Sequence, residues 1–486
     1  MLEENLIIIG VLFLASIFFS KISDRYGIPA LIVFLCVGML AGSDGILGLP
    51  FDDTKFAALV GNLALIFILF AGGFDTNIKS VAPILKVSIV LATLGVVITA
   101  IVLGLFIYLL LGWSLLESFL LGAIISSTDA AAVFAILRSR GIKLKNNLGE
   151  LLEFESGSND PMAIFLTMTI IGIISASQTP TAGNIIIELA MQFFIGGIVG
   201  YACGCSLPSI LNKIQLSSWG FYPILVLGFV CLVFGITTKI GGNGYIAVYV
   251  MGIFANRREY VYKKNLVGFF DGVAWIMQIF VFLTLGLLVF PSSLPSVTLM
   301  AALIALFLTF VARPISVFIG TIFTKFSIKE KTFISWVGLR GVVPVILSTY
   351  PLSANINHAE DMFNIVFVIV FISVLIQGST ISKAATILGV RLEENKKEEV
   401  KEPSIKNQIF YQSIRQFSIE EDSKIIGKNL AELELPENFY VVLSVRDGKY
   451  IKVTGSYLFK ANDLLLIVCK DEDFYTKILK DYGFIA

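Results

Sequence analysis

Leu151–Phe165, LLEFESGSNDPMAIF, decides how this chain is read. It lies inside an apolar run that continues to Ile174. Within it, Glu155 to Asp160 hold two acids, an amide and two hydroxyls between lipid-compatible flanks. A carboxylate at membrane depth costs several kcal/mol, about 2.5 or more, unless it is paired, protonated or bound to a cation. On a helix, residues three or four apart share a face. Ser156, Asn159 and Asp160 then point one way together, and Glu155 shares a face with Asn159. Two readings follow: a cation or proton site inside a transporter, or a buried polar patch that only knits helices together. An idle charge in the membrane is strongly destabilising, which favours the first.

The composition supports a membrane setting. The chain has 486 residues, 56% hydrophobic and 15% charged. Soluble domains are less apolar and carry about 25% charge, so this is the profile of a polytopic membrane protein. A formal net charge of zero gives no reason to expect nucleic acid. Cys36, Cys203, Cys205, Cys231 and Cys469 lack metal-site spacing and read as small apolar residues. His358 is the single histidine, which argues against histidine-based catalysis. The amino-terminal MLEEN has no basic region before its apolar run and reads as the start of a first span rather than a signal peptide.

Apolar runs between polar breaks predict an all-α polytopic protein of about thirteen transmembrane helices. They lie near 5–20, 28–42, 56–74, 83–111, 116–137, 149–174, 185–211, 220–238, 243–256, 266–290, 297–323, 332–351 and 361–388. Basic residues follow the odd spans: Lys21 and Arg25, Lys79, the Arg138–Lys145 loop, Lys213, Arg257–Lys264 and Lys325–Lys331. The loops at 291–295 and 355–361 contain no Lys or Arg. The positive-inside rule therefore puts the amino terminus outside and the carboxyl terminus in the cytoplasm of a cell-membrane protein.

The membrane domain covers 1–390, a charged linker 391–403, and a small α+β domain 404–486. YVVLSV, YIKVT and LLLIVC are short β runs in that last domain, separated by turns at Asp447-Gly448 and Ala461-Asn462-Asp463. Tyr475–Asp481 reads as a closing helix. Such a tail is a regulatory sensor or a folding cap.

Three further polar features lie inside spans. Ser126-Ser127-Thr128-Asp129 followed by three alanines, in span five, permits a locally unwound helix, or else a tight small-residue packing interface. Gly338-Leu339-Arg340-Gly341-Val342-Val343-Pro344 weakens span twelve and adds a fixed charge at Arg340. Interrupted spans seven apart suggest two inverted repeats with crossed broken helices at the bilayer midplane. Arg313, deep in span eleven, cannot shed its proton and needs a partner. Glu155 is the simplest candidate for a structural charge pair, which leaves Asp160 without a permanent cation. Desolvation favours the protonated form of a carboxyl, and a bound K⁺ or Na⁺ favours the ionised form. One carboxylate can then hold either a proton or a monovalent cation, with Asn159 supplying an amide oxygen that does not titrate. If only neutralised forms cross between inward- and outward-facing states, exchange is obligatory and electroneutral.

At these residues the chain resembles the monovalent cation/proton antiporter superfamily, in particular the electroneutral NhaP-type and Na⁺/H⁺-exchanger branch. Thr128-Asp129 matches its broken-helix motif, Glu155-Ser156-x-x-Asn159-Asp160 its Glu-Ser-x-x-Asn-Asp signature, and Arg313 and Arg340 its two arginine positions. The resemblance covers about residues 5–388. It implies a homodimer in the lipid bilayer, with a core that moves against a dimerising domain. It also implies that Asp160 is the principal ion and proton carrier, with Thr128, Asp129, Ser156 and Asn159 around the ion. Many relatives carry an acid near the end of span three, where this chain reads Phe70-Ala71-Gly72-Gly73 and the nearest acid is Asp75. The tail is similar to TrkA-C, the carboxyl-terminal subdomain of regulators of potassium conductance, through Ile426–Leu433, Leu435-Pro436 and Ala461–Asp463. That resemblance implies a tail able to take a nucleotide such as cyclic di-AMP, and it tilts the ion toward K⁺.

The expected function is K⁺/H⁺ antiport regulated by the tail, with Na⁺/H⁺ antiport as the alternative. A tail-gated potassium channel is more remote, because no TVGYG-like filter is present. A membrane hydrolase using Ser156 or Ser158 has no base within reach.

Overall fold

The computed structural model describes residues 2–26, 30–76, 81–129, 133–134, 136–137, 141–175, 182–392, 414–420, 423–433, 435–436, 439–446, 449–469, 475 and 478–479. Lys79, Ala130–Ala132, Arg138, Arg140, nearly all of the linker, the Asp447-Gly448 turn and most of Tyr475–Asp481 lie outside them. The chain forms two compact units, Met1–Leu392 and Glu393–Ala486.

The first unit is a helical membrane domain. Its helices are α1 (Leu2–Tyr26), α2 (Ala30–Ala41), α3 (Thr54–Asp75), α4 (Leu85–Leu111), α5 (Leu115–Ile125), α6 (Leu148–Ser175) and α7 (Ala182–Lys213). They continue as α8 (Phe221–Lys239), α9 (Gly244–Ala255), α10 (Lys263–Leu287), α11 (Pro291–Gly320), α12 (Ile328–Trp336), α13 (Val342–Ser353) and α14 (Ala359–Ile387). Among the described residues, eight helices are long and apolar enough to cross a membrane and five more apolar helices are shorter. Span five consists of α5, a break at Ser126–Asp129, and helical backbone again at Val133, Phe134, Ile136 and Leu137. Span twelve consists of α12, an irregular Gly338–Gly341, and α13.

Features seven spans apart correspond. Spans two and nine are both twelve-residue helices, α2 and α9. Spans four and eleven each contain a five-residue π segment, Leu91–Gly95 and Leu308–Ala312. Spans five and twelve each begin with a capping box, Ser114 with Glu117 and Ser327 with Glu330. In each box the hydroxyl and the acid satisfy two backbone N–H groups that the first turn leaves open. The two π-bulged spans also pack on each other. Phe106 stacks on Phe307 with centroids 3.9 Å apart, and Ser316 Oγ donates to the Gly95 carbonyl at 2.7 Å. The Gly95 carbonyl, at the end of the π segment, also accepts from Thr99 Oγ1 at 2.8 Å.

The second unit contains a four-stranded antiparallel sheet of order β1-β4-β2-β3. The strands are β1 (Ile414–Ser418), β2 (Phe439–Arg446), β3 (Lys449–Lys452) and β4 (Leu464–Cys469). β1 was not legible as a β run. IRQFS has polar residues on both faces, and its order comes from pairing with β4. Ile419, Ile425, Leu433, Phe439, Phe459, Leu465 and Ile467 form the core. Arg446 donates from Nε and Nη2 to the Asp463 carboxylate at 2.6 Å each, and the Tyr457 hydroxyl donates to Asp463 at 2.7 Å. Burial alone would raise the Asp463 pKa. The Arg446 and Tyr457 donors and the Lys460 amide outweigh it and hold the group below the usual carboxylate range.

Candidate ion-binding site

The two breaks meet and cap each other. A helix that stops inside a bilayer leaves carbonyls with no water to satisfy them. Arg340 Nη1 donates to the Ser126 carbonyl at 2.8 Å and to the Ser127 carbonyl. A guanidinium thus sits on the C-terminal, electronegative end of α5. The Arg340 amide donates to Ser373 Oγ at 3.1 Å, anchoring the same residue to α14. In the other direction, the Asp129 amide donates to the Leu339 carbonyl at 2.8 Å. The Asp129 carboxylate covers Gly341, the residue just before α13, and fills the space a Cβ there would need. A negative charge at the start of α13 complements that helix dipole.

α6 is pinned to the break in span five. Asn159 Nδ2 donates to Thr128 Oγ1 at 2.6 Å, and the Thr128 amide donates to Asn159 Oδ1 at 3.4 Å. Ser156 Oγ donates to the Thr128 carbonyl at 2.5 Å. Ser156 and Asn159 lie three residues apart on one face of α6, so both reach the same unwound residue. They supply the hydrogen bonds that Thr128 loses by leaving the helix. Pro161, inside α6, removes one backbone N–H beside Asp160.

Glu155 and Asp160 have different surroundings. Glu155 Oε1 lies 2.7 Å from Arg313 Nη2, and both side chains are buried, 1% and 4% exposed. Gly338 lets the Arg313 side chain pass, since a Cβ there would come within 2.9 Å of Nε. Asp160 is 8% exposed, and its Oδ1 has no hydrogen-bond partner among the described residues. It lines a cavity of about 30 Å³ together with Ile68, Thr128, Asp129, Gln278, Phe282 and Gly341–Pro344. That is room for one or two water-sized occupants. A larger cleft of about 50 Å³ between α11 and α14 is mostly apolar and contains none of these residues.

Of the sequence candidates, Thr128, Asp129 and Asp160 line the cavity. Ser156 and Asn159 turn onto Thr128, Arg340 onto the α5 terminus, and Glu155 onto Arg313. Asp75 ends α3, is exposed, and does not line the cavity. Sequence reasoning missed Gln278, the single amide in the apolar stretch Val273–Leu283. It also missed a polar cluster formed by α3, α9 and α13. The Tyr245 and Tyr350 hydroxyls both donate to Asn62 Oδ1, the first at 3.1 Å. Ile346, one turn before Tyr350 on α13, packs against Gly61 beside Asn62. Asn62 and Tyr350 lie six residues, about 9 Å, along α3 and α13 from Ile68 and Pro344 of the cavity wall.

The comparisons with known proteins agree with this architecture. Residues 9–386 match the family model for the sodium/hydrogen exchanger, transmembrane, and residues 414–478 match that for the TrkA-C domain. The chain is 40% identical to the K(+)/H(+) antiporter NhaP of Alkalimonas amylolytica, over 96% of this chain and 82% of that protein. It is 36% identical to the K(+)/H(+) antiporter NhaP2 of Shewanella sp. (strain MR-4), with the same coverage. Among solved structures it resembles the sodium proton antiporter MjNhaP1 from Methanocaldococcus jannaschii, at a TM-score of 0.67 and 27% identity, over 77% of this chain and all of that one. With the crossed breaks, the buried Glu155–Arg313 pair and these matches together, the chain belongs to the transmembrane sodium/hydrogen exchanger family and carries a TrkA-C domain at its carboxyl end.

Proposed function

We propose that this protein is an electroneutral K⁺/H⁺ antiporter that works by alternating access, with Asp160 as the group that exchanges a proton for a cation. The observation that carries this reading is the contrast within α6. Glu155 has a buried arginine at 2.7 Å, whereas Asp160 Oδ1 faces a small cavity without a partner. A group that must bind two ligands in turn cannot be permanently neutralised. Thr128 and Asp129 form the same wall, and Ser156, Asn159 and Arg340 hold that wall in its unwound shape. The charge on the protonated site equals that on the K⁺-loaded site, so one proton for one monovalent cation moves no net charge.

K⁺ as the ion draws on the names of the relatives above and on the TrkA-C domain. Na⁺ is the second reading, motivated by the name of the structural neighbour. In inverted vesicles carrying an imposed pH gradient, K⁺ should dissipate the gradient and Na⁺ should do so less well. Dissipation by Na⁺ alone would overturn the choice of K⁺.

In this reading the protein is a homodimer in the cell membrane, with its amino terminus outside and its tail in the cytoplasm. The tail sets activity and takes a regulatory nucleotide such as cyclic di-AMP. A chain ending near Arg391 should still exchange ions but respond differently to activating conditions. An inert but well-folded truncation would show that the tail is more than a regulator.

A further inference from the structure

The Asp160 cavity has two chemically unlike walls. One is built from the breaks and α6, and it carries Thr128, Asp129 and Asp160. The other is built from α3 and α10, and it carries Ile68, Phe282 and Gln278. On that second wall Gln278 is the single polar side chain. Among the described residues its amide has no hydrogen bond or ion pair, although it lies deep in an apolar span. Gln278 is half-buried and lines the cavity, so its amide is open to whatever occupies that space.

Its depth matches that of Asp160. α6 and α10 are both even-numbered spans and so start from the same side of the membrane. Asp160 lies twelve residues into α6 and Gln278 fifteen residues into α10, about 18 and 22 Å along their helices. A cation entering room for one or two waters must replace most of its hydration shell with protein oxygens. Asp129 is already placed at the start of α13, and α3 offers a hydrocarbon side chain to the cavity.

We propose that Gln278 is a selectivity ligand of the exchanger: its amide oxygen completes the shell of the dehydrated cation opposite Asp160. This rests on the reading of Asp160 as the carrier. A neutral oxygen suits the task because it adds coordination without a second proton-binding group, so one-for-one stoichiometry is kept. Selection between K⁺ and Na⁺ then depends on how far this oxygen stands from the carboxylate.

The test uses the full-length protein in proteoliposomes. Gln278→Leu should raise the apparent KM for K⁺ at least fivefold and change the K⁺-to-Na⁺ rate ratio. Gln278→Glu should make the K⁺ dependence more strongly pH-dependent, because it adds a second titrating oxygen. In detergent, the thermal stabilisation of the purified protein by K⁺ should shrink in Gln278→Leu, a readout independent of turnover. Gln278→Asn keeps the amide on a shorter stem, and a shifted ion ratio there supports the role even if the leucine variant fails to fold. KM and ion ratio within twofold of wild type in every folded variant would overturn it. Asp160→Asn in the same assay separates the two claims. If it still exchanges ions, the carrier reading falls. If it is inert while the Gln278 variants behave as wild type, only the Gln278 role falls.

Discussion

Glu155 and Asp160 lie five residues apart on one helix, both buried and both inside the membrane unit, yet their environments differ. Glu155 meets Arg313, and both groups are almost completely enclosed. Asp160 faces a cavity from among residues of the broken spans. The difference shows that burial alone does not make a carboxyl functional. Glu155 carries a permanent cationic partner, whereas Asp160 Oδ1 has no hydrogen-bond partner among the described residues, which is the basis of the proposal that Asp160 does the exchanging. The broken spans repeat the pattern, with Arg340 on the end of α5 and Asp129 at the start of α13. Those charges lie on helix termini, where they complement the helix dipoles.

The contrast can be broken most severely at Asp160. Asp160→Asn should eliminate coupled exchange, a loss of about 100-fold or more as for removal of an essential ionisable group, while size exclusion and thermal melting stay near wild type. Residual coupled transport would refute the carrier role. At the other carboxyl the damage should fall on folding. Glu155→Gln alone leaves Arg313 buried and unpaired, a cost of about 3–5 kcal/mol, read as a lower melting temperature and yield. Pairing it with Arg313→Met should recover much of that loss. If the double variant is as unstable as the single, the pair is not the reason for the cost.

Smaller effects sharpen the comparison. Arg340→Lys keeps the charge but loses the planar fork on α5, and exchange should slow by about tenfold. In the tail, Asp463 is held below the usual carboxylate range, so its ionised form stabilises the fold. That contribution should be complete above about pH 4, the ordinary carboxylate value, and be lost as pH falls further. Circular dichroism of the β signal against pH checks this, and Asp463→Asn should flatten the acid limb. Tyr350→Phe removes one donor to Asn62, worth about 1 kcal/mol. It should raise the accessibility of a cysteine placed near Asn62 by a few fold, and unchanged labelling would mean that this bond does not hold α3 and α13 together there.

Much of this was legible in the sequence because the bilayer punishes exceptions. Apolar runs mark the spans, and a charge inside one must be explained, which singled out Glu155, Asp160, Arg313 and Arg340. The division of labour within Glu155–Asp160 was less legible. Spacing puts Ser156 and Asn159 on the face of Asp160, but only the unwound Thr128 shows what they bond to. Gln278 escaped because one amide in an apolar helix carries no periodic signal. The Asn62 cluster escaped because its three members come from distant helices. The Ser-x-x-Glu boxes before α5 and α12 were a readable sign of the repeat. β1 had no apolar alternation to announce it.

The central claim is that one carboxyl binds either a proton or a cation. The most direct test is the apparent KM for K⁺ in proteoliposomes as a function of pH. Competition at Asp160 predicts that KM rises as pH falls, approaching about tenfold per unit on the acid side, while the rate at saturating K⁺ changes far less. A KM that stays constant across the whole active pH range would contradict the account.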